Sequence, residues 1–317
     1  MLRWVRAVAL GVATVLVAAL VTVPLAAAAP ATDLWAITSP DAAQLTSGSG
    51  VVDYQRLDRG RYEFTFNQDV SNCSYTATIN GLPPGDSWSW LAFTASGHLG
   101  PFGVYVETKT TLSYDTLEDH GVVLHVQCAG NYAVVDNKGN LRRGSGVTGV
   151  KKVGYGQFEV TFDRDVSASS FVATIGDPGA GRVDYSGVVF TASHQNRNTV
   201  LVQTKGTSGR LTDYYSFHLQ IARYPTWVVT DYVGAVVRSS RVVRTERVGR
   251  GDYRVTFNHA VSGCAAIATI GSPDDKAVAE PGVVATALWD QATISVRTTT
   301  TSRQEPYDRP FHLQMTC

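Results

Sequence analysis

The sequence predicts an all-β protein of three tandem antiparallel β-sandwich domains, immunoglobulin-like or jelly-roll-like, with about seven strands each. Three observations predict it. The chain aligns with itself twice, almost without gaps. Apolar residues alternate with polar ones in short runs. Gly, Pro, Asn and Asp break those runs at intervals that suit turns.

The first element is an export signal over residues 1–29. Arg3 and Arg6 give a positive start, Ala7 to Leu25 is apolar and uncharged, and Ala26–Ala29 offer small residues for cleavage before Pro30. An uncleaved membrane anchor is the rival reading, because the apolar run is nearly long enough to cross a bilayer. With cleavage, no membrane span remains. Either way the rest of the chain works outside the cytoplasm, secreted or at the cell surface, where disulfides persist.

Copies one, two and three then occupy residues 30–130, 131–225 and 226–317. Gly60-Arg61-Tyr62-Glu63-Phe64-Thr65-Phe66 matches Gly156–Phe162 and Gly251–Phe257. Ala77-Thr78-Ile79 returns as Ala173-Thr174-Ile175 and Ala268-Thr269-Ile270. The copies end on Val122–His125, Phe217–Gln220 and Phe311–Gln314. They begin at Trp35, Tyr132 and Trp227, which lie 97 and then 95 residues apart. A unit of that size is too long for a solenoid repeat and large enough to fold alone, so beads on a string are expected, touching through short joins. Within each copy, Tyr62, Phe64 and Phe66 alternate with Arg61, Glu63 and Thr65, the period of a half-buried strand.

The alignment selects a disulfide pairing. Cys73 aligns with Ser169 and Cys264, and Cys128 with Arg223 and Cys317. Joint presence in copies one and three, and joint absence in copy two, predict Cys73–Cys128 and Cys264–Cys317. Closing loops of this length stabilises each copy by about 4 kcal/mol in the chain-entropy account. No cysteines have zinc-ligand spacing, and no metal or cofactor is expected.

The chain contains 27 Lys plus Arg against 27 Asp plus Glu, so it lacks the basic footprint of a nucleic-acid binder. It has no Gly-x-Ser-x-Gly elbow, no His-Glu-x-x-His and no phosphate-cradling Gly loop, so no catalytic residue is expected. His218 and His312 share a repeat position that is Val123 in copy one, and the strand period places them on a solvated face. Asn67 and Asp69, Asp163 and Asp165, and Asn258 with Ala260 read as turn formers rather than calcium ligands. A basic residue recurs at Arg56, Lys152 and Arg247, where an anionic polymer would sit. Arginines at 238, 241, 244, 247 and 250 reach both faces of a strand. The strongest binding candidates are Trp88 and Trp90, in a loop private to copy one. The sister copies have Tyr185 and Glu280 opposite Trp88, and Gly187 and Gly282 opposite Trp90. Indoles there would stack on sugar rings or anchor a protein; the plainer role is packing or capping.

The run from Tyr132 through Gly146 to Phe162, with the Ala-Thr-Ile and Phe-His-Leu endings, resembles a domain repeated in uncharacterised secreted proteins of high-GC Gram-positive bacteria. The resemblance covers the whole mature chain and implies no activity. The Gly-x-Tyr-x-Val-Thr-Phe line is also similar to one strand of trimeric jelly-roll heads. Together these readings lead to an expected non-catalytic binding or spacer protein, with a carbohydrate, a cell-envelope polymer or a protein as partner. The alternative is a secreted hydrolase with its site at a domain junction.

Overall fold

A computed structural model describes residues 34–81, 89–111, 116–276, 278 and 280–317. Copy one supplies β1 (Leu34–Thr38), β2 (Leu45–Ser49), β3 (Val51–Asp58), β4 (Arg61–Phe66), β5 (Ser74–Asn80), β6 (Trp90–Ser96), β7 (Gly103–Thr110) and β8 (Val122–Gln127). Copy two supplies β9 (Tyr132–Val135), β10 (Leu141–Ser145), β11 (Val147–Gly154), β12 (Gln157–Phe162), β13 (Phe171–Ile175), β14 (Gly187–Ser193), β15 (Thr199–Gly206) and β16 (Phe217–Ile221). Copy three supplies β17 (Trp227–Thr230), β18 (Val236–Ser240), β19 (Val242–Gly249), β20 (Asp252–Phe257), β21 (Ala265–Ser272), β22 (Gly282–Leu288), β23 (Thr293–Thr300) and β24 (Phe311–Thr316). The expected all-β class holds, with eight strands per copy among the described residues rather than seven. The additional strand is β2, with its counterparts β10 and β18. These are edge strands of Leu-Thr-Ser-Gly-Ser type that carry no apolar stripe for a sequence reading to find.

Among the described residues, 24 strands form four sheets that pack in a sandwich-like way. One runs β19-β20-β23-β22-β5-β8-β1-β2 and another β11-β12-β15-β14-β21-β24-β17-β18; the four-stranded sheets are β10-β9-β16-β13 and β3-β4-β7-β6. Each eight-stranded sheet therefore passes from one copy into another. Parallel pairing joins Thr191 to Gly271 and Ala285 to Ile79, and a parallel bridge joins Thr94 to Gly176. Those links connect copy two to three, three to one, and one to two, closing a cycle. Separate beads are not evident, and the described residues hold together as one unit.

Apolar strand residues form one cluster within each copy, and others that draw on more than one copy, such as Phe93 with Phe190 and Ile270. Tyr62, Phe64 and Phe66 anchor the first, Phe158, Val160 and Phe162 the second, and Tyr253, Val255 and Phe257 the third. The repeated glycine before each of these strands has φ of 62°, 63° and 70° at Gly60, Gly156 and Gly251. A Cβ there would also press on the backbone of the neighbouring strand, at 2.6 Å from the Thr108 carbonyl in copy one. Both expected disulfides are present. Strand pairing explains them, because Ser74 faces Gln127 and Ala265 faces Thr316, which brings the flanking cysteines together. Two disulfides point to an oxidising, extracellular-type compartment. Among the described residues no helix is long and apolar enough to cross a membrane.

One cross-strand pair exchanges its chemistry between copies. Arg61 opposes Glu107, Gln157 opposes Gln203, and Asp252 opposes Arg297. The ion pair thus runs one way in copy one, is replaced by two amides in copy two, and is reversed in copy three.

The outer edge strands β3, β11 and β19 each carry two register irregularities and two or three charges, which discourages pairing with a second molecule. The turn before each strand requires a left-handed residue. Gly50 and Gly146 supply it at φ 68°, whereas Arg241 adopts φ 61°. An L side chain with a Cβ is strained there. Arg241→Gly is expected to raise stability by about 1 kcal/mol, read as a higher urea midpoint; an unchanged or lower midpoint would refute the strain argument.

His218 and His312 require a correction. They are fully buried, not solvated. The strand period is as expected, with Phe217, Leu219 and Ile221 in the sandwich core and His218 and Gln220 on the opposite face. That opposite face packs on the neighbouring copy. Tyr75 N–H donates to His218 Nδ1 at 2.9 Å, and Phe171 N–H donates to His312 Nδ1 at 2.9 Å. Gln220 Oε1 accepts from Thr76 Oγ1 at 2.9 Å and lies 2.7 Å from His125 Nδ1, so one residue of copy two meets a cross-strand pair of copy one on β5 and β8.

Candidate functional site

The recurring basic residues are each spoken for. Arg56 pairs with Asp119 through two nitrogens at 3.0 and 2.6 Å, Lys152 with Asp213 at 2.7 Å, and Arg247 with Asp308 at 2.9 and 2.8 Å. The same carboxylates accept the amides of Gly60, Gly156 and Gly251. The hydrogen bond from Arg56, against the opposing effect of burial, holds the Asp119 carboxyl down at about 2. A recurrent local clamp accounts for these positions, each cation being neutralised by its own carboxylate.

Asp69 accepts from the Ser71 amide and hydroxyl, and Asp165 from those of Ser167, as turn formers do. Among the described residues no group of three His, Cys, Asp or Glu side chains is placed to hold a metal ion. The arginines beginning at Arg238 divide their tasks. Arg238 enters the junction with copy two and Arg250 lies over the Tyr307 ring.

Trp88 lies outside the described residues. Trp90 is half-buried; its indole N–H donates to Glu118 at 3.1 Å and its ring stacks on His120 at 3.6 Å. In copy two the bulk is carried from the other side. Gly187 replaces Trp90, and a Cβ there would lie 2.4 Å from the Tyr215 ring. In copy three Gly282 faces Arg309. Trp90 thus fills space that Tyr215 fills in the next copy, the packing role weighed above.

The exposed aromatic cluster lies in copy two. Tyr155, in the turn between β11 and β12, is 57% exposed; Tyr185, before β14, is 59% exposed; Tyr214, between β15 and β16, is 69% exposed. The rings of Tyr185 and Tyr214 approach to 5.9 Å. Arg59 and Arg250 stand at the Tyr155 position in the other copies. Copy two also has one extra residue between Asp213 and Phe217, and the displaced position is Tyr214. Neither tyrosine is required by the shared fold.

Two clefts meet at this tyrosine ridge. One, of about 650 Å³, is lined by Tyr155, Tyr185, Tyr214 and Tyr215 with Ser208 and Arg210. The other, of about 350 Å³, shares Tyr185, Tyr214 and Tyr215 and adds Asp136, Arg142, Asp177, Arg182 and Asp184. Flat exposed rings beside carboxylate acceptors and guanidinium donors suit a ligand with both C–H faces and many hydroxyls. The alignment that singled out Trp88 and Trp90 contained the same signal for Tyr155 and Tyr214, as aromatics without counterparts in the sister copies. The sequence matches no protein-family model, no curated protein and no solved structure.

Proposed function

We propose that this is a secreted, non-catalytic binding protein of three cyclically joined sandwich repeats, which takes a glycan of the cell envelope on the tyrosine ridge of copy two. The observation that carries the reading is the pair Tyr185 and Tyr214, both mostly exposed and standing between two clefts. Exposed aromatic rings are costly to keep in water unless a partner covers them, and tyrosine offers an apolar face with a polar tip. The neutral chain and the ion-paired basic positions favour an uncharged or mixed polymer over a polyanion.

The test is retention of the protein on isolated envelope polysaccharide and on a panel of soluble glycans. Tyr185→Ala with Tyr214→Ala is expected to weaken binding at least tenfold, through loss of two stacking surfaces, with an unchanged melting profile. Equal retention of the double variant would remove the proposal. Loss upon Trp90→Ala alone would transfer the site to copy one.

A further inference from the structure

The three junctions of the cycle are not filled alike. Between copies one and two, Arg143 lies 5.0 Å above the Tyr75 ring, its Nε donates to Cys73 O at 2.7 Å, and His218 stacks near Tyr75 at 5.1 Å. Between copies two and three the same set returns as Arg238, Phe171 and His312, with distances of 5.4, 2.9 and 5.1 Å. At the junction of copies three and one the corresponding residues are Ser47, Ala266 and Val123. Guanidinium, aromatic ring and imidazole are all replaced by small side chains.

A cavity of about 280 Å³ lies at that place. Ser47, Val123 and Ala266 line it, together with Val261, Leu288 and Ile294. Val261 and Ile294 belong to the core of copy three, so the cavity enters the sandwich where Tyr75 and Phe171 sit in the other copies. Leu288 is 52% exposed at this cavity. Among the described residues no charged side chain lines it. One polar feature of the cavity lining points to a hydrogen-bonding guest. The amides of Tyr75 and Phe171 donate to imidazoles, whereas the Ala266 amide has Val123 at the imidazole position.

We propose that this third junction is a binding site for a neutral, single-ring aromatic molecule bearing an oxygen acceptor. The guest places its ring where the sister junctions place Tyr75 and Phe171. Its size fits, since an apolar cavity of about 150 Å³ accepts benzene and this one measures about 280 Å³. Neutrality follows from the lining, because a charge buried there would have no counter-charge.

The probe is 4-fluorophenol, followed by fluorine NMR and calorimetry on the intact, disulfide-bonded protein. One-to-one saturable binding is expected, with 4-fluorobenzoate at least tenfold weaker. Ala266→Phe, which supplies the sister residue, is expected to weaken 4-fluorophenol at least tenfold while raising the melting temperature. Ser47→Arg, placed to lie over the same space, serves as a second blocking variant should Ala266→Phe not fold. Tyr185→Ala is expected to leave the affinity unchanged, which separates this site from the tyrosine ridge. Absence of saturable binding, equal affinity for the benzoate, blocking variants that bind like the parent, or loss in Tyr185→Ala would each overturn the proposal.

Discussion

Acidification from pH 6.5 to pH 5 is expected to cost this protein several kcal/mol of stability, with a slope approaching about 4 kcal/mol per pH unit. The cause is three imidazoles buried neutral at the junctions. Burial pushes His125 down from 6.5 to about 4, and holds His218 and His312 well below 6.5. Nearby guanidiniums add to the effect: Arg143 beside His218, Arg238 beside His312, and Arg223 toward His125. The hydrogen bonds fix the tautomers at two sites. Nδ1 of His218 and of His312 accepts a backbone amide, so protonation there would set N–H against N–H. In the unfolded chain all three titrate near 6.5. The unfolded state therefore binds protons first as the pH falls. Stability is whole above pH 6.5 and is lost below it, until each folded-state pKa is reached, at about 4 for His125. Each imidazole contributes about 1.4 kcal/mol per pH unit in that window. Urea unfolding between pH 7.5 and 4.5 reads the slope directly. His218→Asn and His312→Asn retain an acceptor near the Nδ1 position, and each should flatten the slope by about a third. A stability that does not change between pH 7 and 5 would mean that these histidines are not buried as described.

The same histidines show where the sequence stops being readable. The alternation Phe217-His218-Leu219-Gln220-Ile221 correctly gives a strand with one apolar face. It says nothing of what covers the other face. His218 and Gln220 look solvated by pattern, yet they are buried against copy one, because a neighbour's backbone amides and carbonyls satisfy them. Cysteine pairing was legible because both partners of each bond lie in one copy. The arginine at position 238 was not, since its acceptors, Ser169 and Pro273 carbonyls, come from two copies. Local chemistry shows in a repeat alignment; contacts between repeats appear only as unexplained recurrence. Tyr155 and Tyr214 stayed hidden for a different reason. Strand-sized alignment blocks skip loops, and the insertion that displaces Tyr214 falls between blocks.

Removing the recurrent threonines should open the cycle. Each Ala-Thr-Ile motif uses its threonine hydroxyl to clamp the alanine of another copy. Thr174 Oγ1 accepts from Ala77 N–H at 2.9 Å and donates to Ala77 O at 3.2 Å. Thr269 holds Ala173 at 2.8 and 3.0 Å, and Thr78 holds Ala268 at 2.9 and 3.1 Å. All three threonines are 3% exposed. Valine fills the same volume and can neither accept nor donate. Each Thr→Val substitution would therefore strand a buried amide and a buried carbonyl, at about 3 kcal/mol per site. The decisive variant is Thr78→Val, because its contact joins copy one to copy three, 190 residues away in sequence. In a closed cycle it costs as much as Thr174→Val or Thr269→Val. In a linear array that contact would be the dispensable one. Chemical unfolding of the three single variants distinguishes these cases. A Thr78→Val protein within about 0.5 kcal/mol of the parent, beside large losses in the other two, would show that the third junction does not hold. With all three substituted, expected losses near 9 kcal/mol match the whole stability of an ordinary domain, so that variant should expose its short joins at Ala129–Asn131 and Tyr224–Thr226 to protease under native conditions.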